Sequence, residues 1–136
     1  MLRFVDTNVL LYSISSSPSE RRKREHAIEV LEGNNVALSA QVLQEFYCQA
    51  TRATRSNPVP HQAAVALITA WSRFPVQKIS LNIVRAALEI CGRHHLSYWD
   101  SAIIASAQAL GCEELLSEDM QHGRRIGSLL IVDPFQ

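Results

Sequence analysis

The chain has 136 residues, of which 47% are hydrophobic and 19% charged, and this composition excludes an intrinsically disordered protein. The formal net charge is zero, so the charge of the whole chain does not indicate a nucleic-acid partner. The three cysteines lie far apart without a C-x-x-C pair, which excludes a zinc knuckle or a redox dithiol.

Short apolar runs alternate with helical patterns along the chain. In chain order we predict a strand at 2–5, helices at 7–14 and 19–32, a strand at 36–39, helices at 40–53 and 61–73, a strand at 76–79, a helix around 83–91, a helix at 98–110, and strands at 115–117 and 129–132. This alternation predicts a three-layer α/β/α fold with a central five-stranded parallel sheet, and the length fits a single domain over residues 1–136.

The sequence also bears on the compartment. Asp6 and Asn8 interrupt the apolar run at the N-terminus, so this run is not typical of a signal peptide. No stretch approaches the ~20 apolar residues of a membrane-spanning helix. Free cysteines suit a reducing environment, and we expect a soluble, cytoplasmic protein without a membrane partner.

Acidic residues lie at the predicted ends of two strands. Asp6 directly follows the first strand, and Asp119 lies two residues after the strand at 115–117. In open parallel sheets, ligands bind at the carboxyl ends of the strands. Each residue also has an ordinary explanation, Asp6 as a helix N-cap and Asp119 as a solvated turn residue.

Asp100 lies on the apolar face of its predicted helix, at a helical spacing from Ile103, Ile104 and Ala107. A carboxylate on such a face is costly unless its charge is compensated. Ser97 and Asp100 match a capping box, which explains the residue type but not the inward-facing position. A bound cation explains both.

Glu45 lies outside the apolar face of its helix, on a polar stripe with Gln41 and Gln49, where most glutamates are merely solvated. Asp6, Asp100 and Asp119 nevertheless map to one rim of the sheet, where they would repel each other. A hard divalent cation is the usual counter-charge for such a group, and it catalyses phosphoryl displacement. The residues therefore indicate a metal-dependent phosphodiesterase.

Four motifs in this order resemble those of the PIN domain family. They are Asp6-Thr7-Asn8 after a strand, Glu45 within a helix, Tyr98-Trp99-Asp100 at a helix start, and Leu115-Leu116-Ser117-Glu118-Asp119. The chain length resembles that of the VapC-type toxins of toxin–antitoxin pairs. The resemblance implies strand order 3-2-1-4-5, an endoribonuclease that depends on Mg²⁺ or Mn²⁺, a homodimer and a cognate antitoxin.

The resemblance also implies roles for the four acidic residues. Asp6 and Asp100 would be the principal ligands of the ion, and Asp119 would complete the ion site directly or through water. Glu45 would position or deprotonate the attacking water. Because all four positions are filled, the sequence argues against an inactive relative.

Two neighbouring polar residues would orient these carboxylates, namely Asn8 and Ser117. Glu118 lies beside Asp119, and the sequence leaves open which of the two faces the metal. Asn8 also argues against a haloacid-dehalogenase-type phosphatase, which requires a second aspartate at that position.

Basic and aromatic residues suggest where RNA could bind. Arg124 and Arg125 lie close to Asp119 in sequence and are candidates for RNA contacts, as is Arg52, whereas the basic run at 21–24 is interpreted as a solvated helix face. Tyr98 and Trp99 could stack on a base, although core packing is the preferred interpretation of aromatic residues at a helix start.

We therefore expect an endoribonuclease that acts as a toxin. The alternatives are a catalytically silent PIN-like module that binds other proteins, and a nuclease acting on DNA. The residues do not separate RNA from DNA, because the metal site attacks phosphates that both polymers share.

Overall fold

A six-stranded sheet runs through the centre of the computed structural model, which describes residues 1–136. The strands are β1 (Arg3–Val5), β2 (Val36–Ser39), β3 (Val76–Gln77), β4 (Glu114–Leu116), β5 (Arg125–Ile126) and β6 (Leu129–Val132). The helices are α1 (Thr7–Ser13), α2 (Arg21–Glu32), α3 (Ala40–Ala50), α4 (His61–Trp71), α5 (Leu81–His94) and α6 (Tyr98–Ala109). No helix has the length and apolar character needed to cross a bilayer.

The sheet order is β3-β2-β1-β4-β6-β5, and all neighbours are parallel except β5 and β6. The three-layer α/β/α fold is confirmed, and β6 occupies the place expected for the fifth parallel strand. The expected five-stranded, all-parallel sheet needs one correction, because β5 adds a short antiparallel edge strand. A two-residue strand leaves no alternation in the sequence, and its turn uses Gly127 with φ +60°.

Several element ends differ from those predicted. The third strand stops at Gln77, and Ile79 is exposed. Helix α3 ends at Ala50, three residues early, because Thr51 caps it by donating its hydroxyl to the Tyr47 carbonyl. The Val59 amide then donates a hydrogen bond to the Ala50 carbonyl, so the chain leaves the direction of α3 at this point.

The core is formed by the central strands and by α6. Phe4, Leu38 and Leu115 come from adjacent strands and are fully buried. All residues at 101–107 in α6 are buried, and this helix contacts β2, β3, β4 and β6 while α5 packs on it. The small side chains of alanine and serine in α6 allow this close packing on two sides.

The topology determines where a site can form. The chain moves from β1 to β3 toward one edge, and the next crossover, through α5 and α6, returns past β1 to β4. Because such crossovers are right-handed, α1–α4 and α5–α6 cover opposite faces. The strand order reverses between β1 and β4, and ligands bind at such a switch point.

The buried thiol of Cys112 makes a prediction about stability at alkaline pH. Burial raises the pKa of this thiol from about 9 to about 11. The thiol therefore contributes stability below about pH 9 that is lost as the pH rises through 11, up to about 3 kcal/mol. We expect urea unfolding to show that the stability advantage of the wild type over Cys112→Ala shrinks across this range.

The exposed Cys48 provides the matched control. We expect the difference between the wild type and Cys48→Ala to stay constant from pH 8 to pH 11. A constant difference for Cys112→Ala as well would contradict the prediction.

Candidate active site

Asp6 is the buried carboxylate at the end of β1, with 5% of its surface exposed. It is the N-cap of α1, and its Oδ1 accepts a hydrogen bond from the Thr7 amide at 2.7 Å. Its Oδ2 accepts a second bond from the Ser117 hydroxyl at 2.7 Å. The capping interpretation was therefore correct, but the bond from Ser117 joins Asp6 to the end of β4 as well.

Asn8 connects the same two strand ends. Its amide nitrogen lies 3.2 Å from Asp119 Oδ2, 3.3 Å from Ser117 Oγ and 3.5 Å from Asp6 Oδ2. Its Oδ1 accepts a hydrogen bond from the Glu118 backbone amide at 3.2 Å. Asn8 therefore holds the segment after β4 in register with the start of α1.

Glu45 reaches the site from α3. Its Oε2 accepts a hydrogen bond from the Thr7 hydroxyl at 3.2 Å, and its Oε1 accepts one from Gln41 Nε2 at 2.8 Å. The same Gln41 nitrogen lies 3.3 Å from the backbone carbonyl of Trp99. Glu45 is thus connected to the start of α1 and to the start of α6.

Asp100 lies in the first turn of α6 and is partly buried. The Ser97 hydroxyl accepts a hydrogen bond from the Asp100 amide at 3.1 Å, so the serine N-cap of the predicted capping box is present. Burial raises the pKa of the Asp100 carboxyl, the charge of Asp119 raises it further, and a hydrogen bond with Ser97 opposes the rise.

All four predicted acidic residues line one cavity of about 110 Å³. Its lining consists of Asp6, Thr7, Asn8, Leu11, Glu45, Gln49, Trp99, Asp100, Ile103 and Asp119. No lysine or arginine lines it. The cavity is therefore a strongly acidic site at the switch point between β1 and β4.

The carboxylates perturb one another. Burial raises the pKa of Asp6 to about 6, hydrogen bonds from Ser117 and Thr7 oppose the rise, and the charges of Glu45 and Asp119 add to it. A group of oxygen ligands with excess negative charge suits a hard divalent cation such as Mg²⁺ or Mn²⁺.

The donor chemistry fits such an ion, but the side chains do not converge on a point. No group of three or more His, Cys, Asp or Glu side chains is close enough to hold a metal ion as it stands. Protein donors hold Asp6, Glu45 and Asp119 in separate hydrogen bonds. Direct ligation by three of them would require side-chain rotation, for which the exposed Asp119 has room.

The structure distinguishes Asp119 from its neighbour Glu118. Glu118 points away from the cavity and accepts hydrogen bonds from the Tyr12 hydroxyl and the Lys23 ammonium. Although burial opposes it, these two hydrogen bonds lower the pKa of Glu118. Asp119, by contrast, lines the cavity.

The three arginines predicted to contact RNA do not line the cavity. The guanidinium of Arg124 donates to the backbone carbonyl of His94 at 3.2 Å, and Arg125 and Arg52 are exposed elsewhere. Their contact with RNA therefore stays a prediction.

Two glutamines of the polar stripe around Glu45 were not predicted as part of the site. Gln49 lines the cavity and Gln41 bonds Glu45, and their four-residue spacing from Glu45 was the signal that could have assigned them to it. Core packing was the wrong interpretation for Trp99, which is 66% exposed at the cavity. Tyr98 is half-buried and partly fits that interpretation.

Comparisons with known proteins agree with this architecture. Residues 3–125 match the sequence model of the PIN domain. A toxin–antitoxin complex from Klebsiella pneumoniae superposes with a TM-score of 0.71 at 22% identity, covering 97% of each chain. DNA-bound VapBC from Salmonella typhimurium gives a TM-score of 0.68 at 21% identity, covering 98% of this chain and 99% of that one.

A third solved structure is VapC20 from Mycobacterium tuberculosis, described as a toxin that cleaves the Sarcin-Ricin loop. It gives a TM-score of 0.66 at 21% identity and covers 86% of this chain and 91% of its own. A comparison with curated proteins finds no match. Structural likeness at these identities establishes the fold, and the sequence-model match over most of the chain establishes the family. The chain belongs to the PIN domain family.

Proposed function

We propose that this chain is an endoribonuclease that depends on Mg²⁺ or Mn²⁺ and acts as the toxin of a toxin–antitoxin pair. The observation that carries this proposal is the gathering of Asp6, Glu45, Asp100 and Asp119 around one cavity at the switch point. The solved relatives support it, since two are toxin–antitoxin assemblies and one is described as a toxin that cleaves the Sarcin-Ricin loop.

In this proposal Asp6 and Asp100 hold the ion, and Asp119 completes its site directly or through water. A bound divalent cation activates water and stabilises the charged oxygens of a phosphodiester during in-line displacement. Asp6 stays oriented because Ser117 and Thr7 donate to its two oxygens. Asn8 orients Asp119 in the same way.

Glu45 is the proposed general base. Its two oxygens are oriented by Thr7 and Gln41 and face the cavity that holds the other carboxylates. From this position Glu45 would take a proton from the water that attacks phosphorus, while the departing ribose oxygen takes a proton from solvent.

The proposed partners follow from the relatives. Two of the solved relatives are toxin–antitoxin complexes, and we propose that this chain likewise binds a cognate antitoxin. We also propose a homodimer that acts in the cytoplasm, where free thiols such as those of Cys48 and Cys91 persist.

The first test of this function is cleavage of labelled RNA and DNA with Mg²⁺, Mn²⁺ or EDTA. We expect cleavage of RNA that EDTA abolishes, and a loss of roughly a hundredfold or more in Asp6→Asn and Asp100→Asn, because each removes an ionic ligand. Glu89→Gln is the matched control, since Glu89 is an exposed carboxylate paired with Arg93, and its activity should be unchanged.

Three outcomes would contradict the proposal in different ways. Cleavage that persists in EDTA and in both variants would exclude the proposed metal site. Cleavage of DNA alone would replace RNA as the substrate. Absence of cleavage by antitoxin-free protein would favour a module that binds other proteins.

A second test uses the buried charge of Asp6 without measuring activity. Its raised pKa, about 6 against 3.8, means that stability is contributed below about pH 4 and lost as the pH rises through 6. In EDTA at pH 7.5, Asp6→Asn should therefore unfold at higher urea concentration than the wild type, by up to about 3 kcal/mol. At pH 4 the advantage should disappear.

The same two proteins report metal binding. Mn²⁺ should stabilise the wild type at pH 7.5 by mass action, while Asp6→Asn should gain far less. Equal stabilisation of both proteins by Mn²⁺, or a destabilising effect of Asp6→Asn in EDTA, would argue against the site.

A third test separates the adjacent acids. We expect Asp119→Asn to weaken the apparent Mn²⁺ affinity about 10- to 100-fold in a thermal-shift titration. Glu118→Gln should change the affinity less than about threefold, because Glu118 bonds Tyr12 and Lys23 away from the cavity. A larger effect of Glu118→Gln would reverse the assignment.

A further inference from the structure

The indole of Trp99 lies exposed at the edge of the acidic cavity. We propose that Trp99 stacks on a nucleobase of the RNA beside the phosphate that is cleaved, and so forms a base-binding subsite. This inference rests on the proposed function, because it assigns a substrate contact to the same site.

The exposure of Trp99 is unusual within this chain. It is 66% exposed, the highest value among the large apolar side chains, and it alone of those exposed side chains lines the carboxylate cavity. Trp71, the other tryptophan, is 6% exposed and packs edge-to-face on Phe46 at 4.7 Å. The fold thus buries one indole and leaves the other available at the cavity.

Trp99 is also held in position relative to the carboxylates. Gln41 Nε2 lies 3.3 Å from the Trp99 carbonyl and 2.8 Å from Glu45 Oε1, so one amide connects the two residues. The indole packs edge-to-face against Tyr98, with ring centroids 5.1 Å apart. Asp100 follows Trp99 directly in the capped first turn of α6. A base on this indole would therefore be placed at a defined distance from the acidic groups.

The charge of the cavity favours an uncharged contact. Its lining contains four carboxylates and no lysine or arginine, so protein side chains there repel the phosphates of RNA. Base stacking on an aromatic ring does not depend on the phosphate charge, and it tolerates any base because each has a π-face. Trp99 is the lining residue that provides such a face.

Trp99 also borders a small apolar groove with Ile79, Ile83 and Val84, so a contact between two copies of the chain is the competing use of this surface. The two uses differ in what they predict. Substitution of a stacking residue weakens RNA binding and leaves the molar mass of the protein in solution unchanged. Substitution of an interface residue lowers that molar mass.

The test compares Trp99→Ala and Trp99→Phe with the wild type in cleavage of a short single-stranded RNA with Mn²⁺. We expect Trp99→Ala to raise KM about 5- to 150-fold, which corresponds to the 1–3 kcal/mol of one base stack, with kcat changed less than about threefold. Trp99→Phe should recover most of the loss. Leu88→Ala, which removes an exposed side chain outside the cavity, should leave KM unchanged.

Fluorescence gives a second readout that does not need turnover. In an Asp6→Asn background, RNA should quench the emission of Trp99, and an abasic ribose-phosphate oligomer of equal length should not. The same titration of the protein that also carries Trp99→Phe supplies the constant signal of the buried Trp71.

Each outcome has a distinct meaning. A wild type that cleaves RNA, with an unchanged KM in Trp99→Ala or equal quenching by the abasic oligomer, overturns the stacking subsite alone. A lower molar mass of Trp99→Ala in light scattering assigns Trp99 to a subunit interface and also overturns it. A wild type that cleaves no RNA overturns both the proposed function and this inference.

Discussion

Burial of the Asp6 carboxylate at the end of the central strand is the constraint around which the polar part of the structure is arranged. Removing this carboxylate from water disfavours its ionised form, and the charges of Glu45 and Asp119 disfavour it further. The bonds from the Thr7 amide and the Ser117 hydroxyl offset part of that cost. The remainder is a free-energy cost of folding located at a candidate functional site, as is common where function requires strained or charged groups.

The bonds that limit this cost also connect the two strands at the switch point. Ser117 and Asn8 belong to the segments after β4 and β1. Asn8 contacts the carboxylates of both Asp6 and Asp119, whereas Ser117 donates to the Asp6 carboxylate and accepts from the Asp119 backbone amide. The site and the local fold therefore share the same hydrogen bonds. Substitutions at either residue would alter the arrangement of two elements that are more than 100 positions apart in sequence.

Much of this arrangement could be predicted from the sequence. Alternating apolar runs indicated the α/β layers, and the rule that ligands bind at strand ends selected Asp6 and Asp119 without any contact information. The apolar periodicity of α6 predicted that Asp100 faces inward, and the structure buries residues 101–107 of this helix. These are signals of local periodicity and topology, which a single sequence carries.

The rest depended on contacts between distant positions. Whether Asp119 or Glu118 faces the cavity is decided by Tyr12 and Lys23, at separations of 106 and 95 residues from Glu118. The guanidinium of Arg124 donates a hydrogen bond to the His94 carbonyl, 30 residues away in sequence. The strand β5 is too short for periodicity to reveal, since only its pairing with β6 makes it a strand.

The polar side chains around the cavity also differ in how freely they can move. Asp6 and Ser117 are buried in the packed core, so neither group can shift without displacing the sheet. Asp119 is exposed, and Glu45 and Asp100 are only partly buried, so these three side chains can reorient at less cost. Cations of different radius require different oxygen distances, about 2.1 Å for Mg²⁺ and 2.3–2.6 Å for Ca²⁺. Discrimination between such ions would therefore depend on the side chains that can reorient, while the buried Asp6 keeps the distance from the cation to the sheet constant.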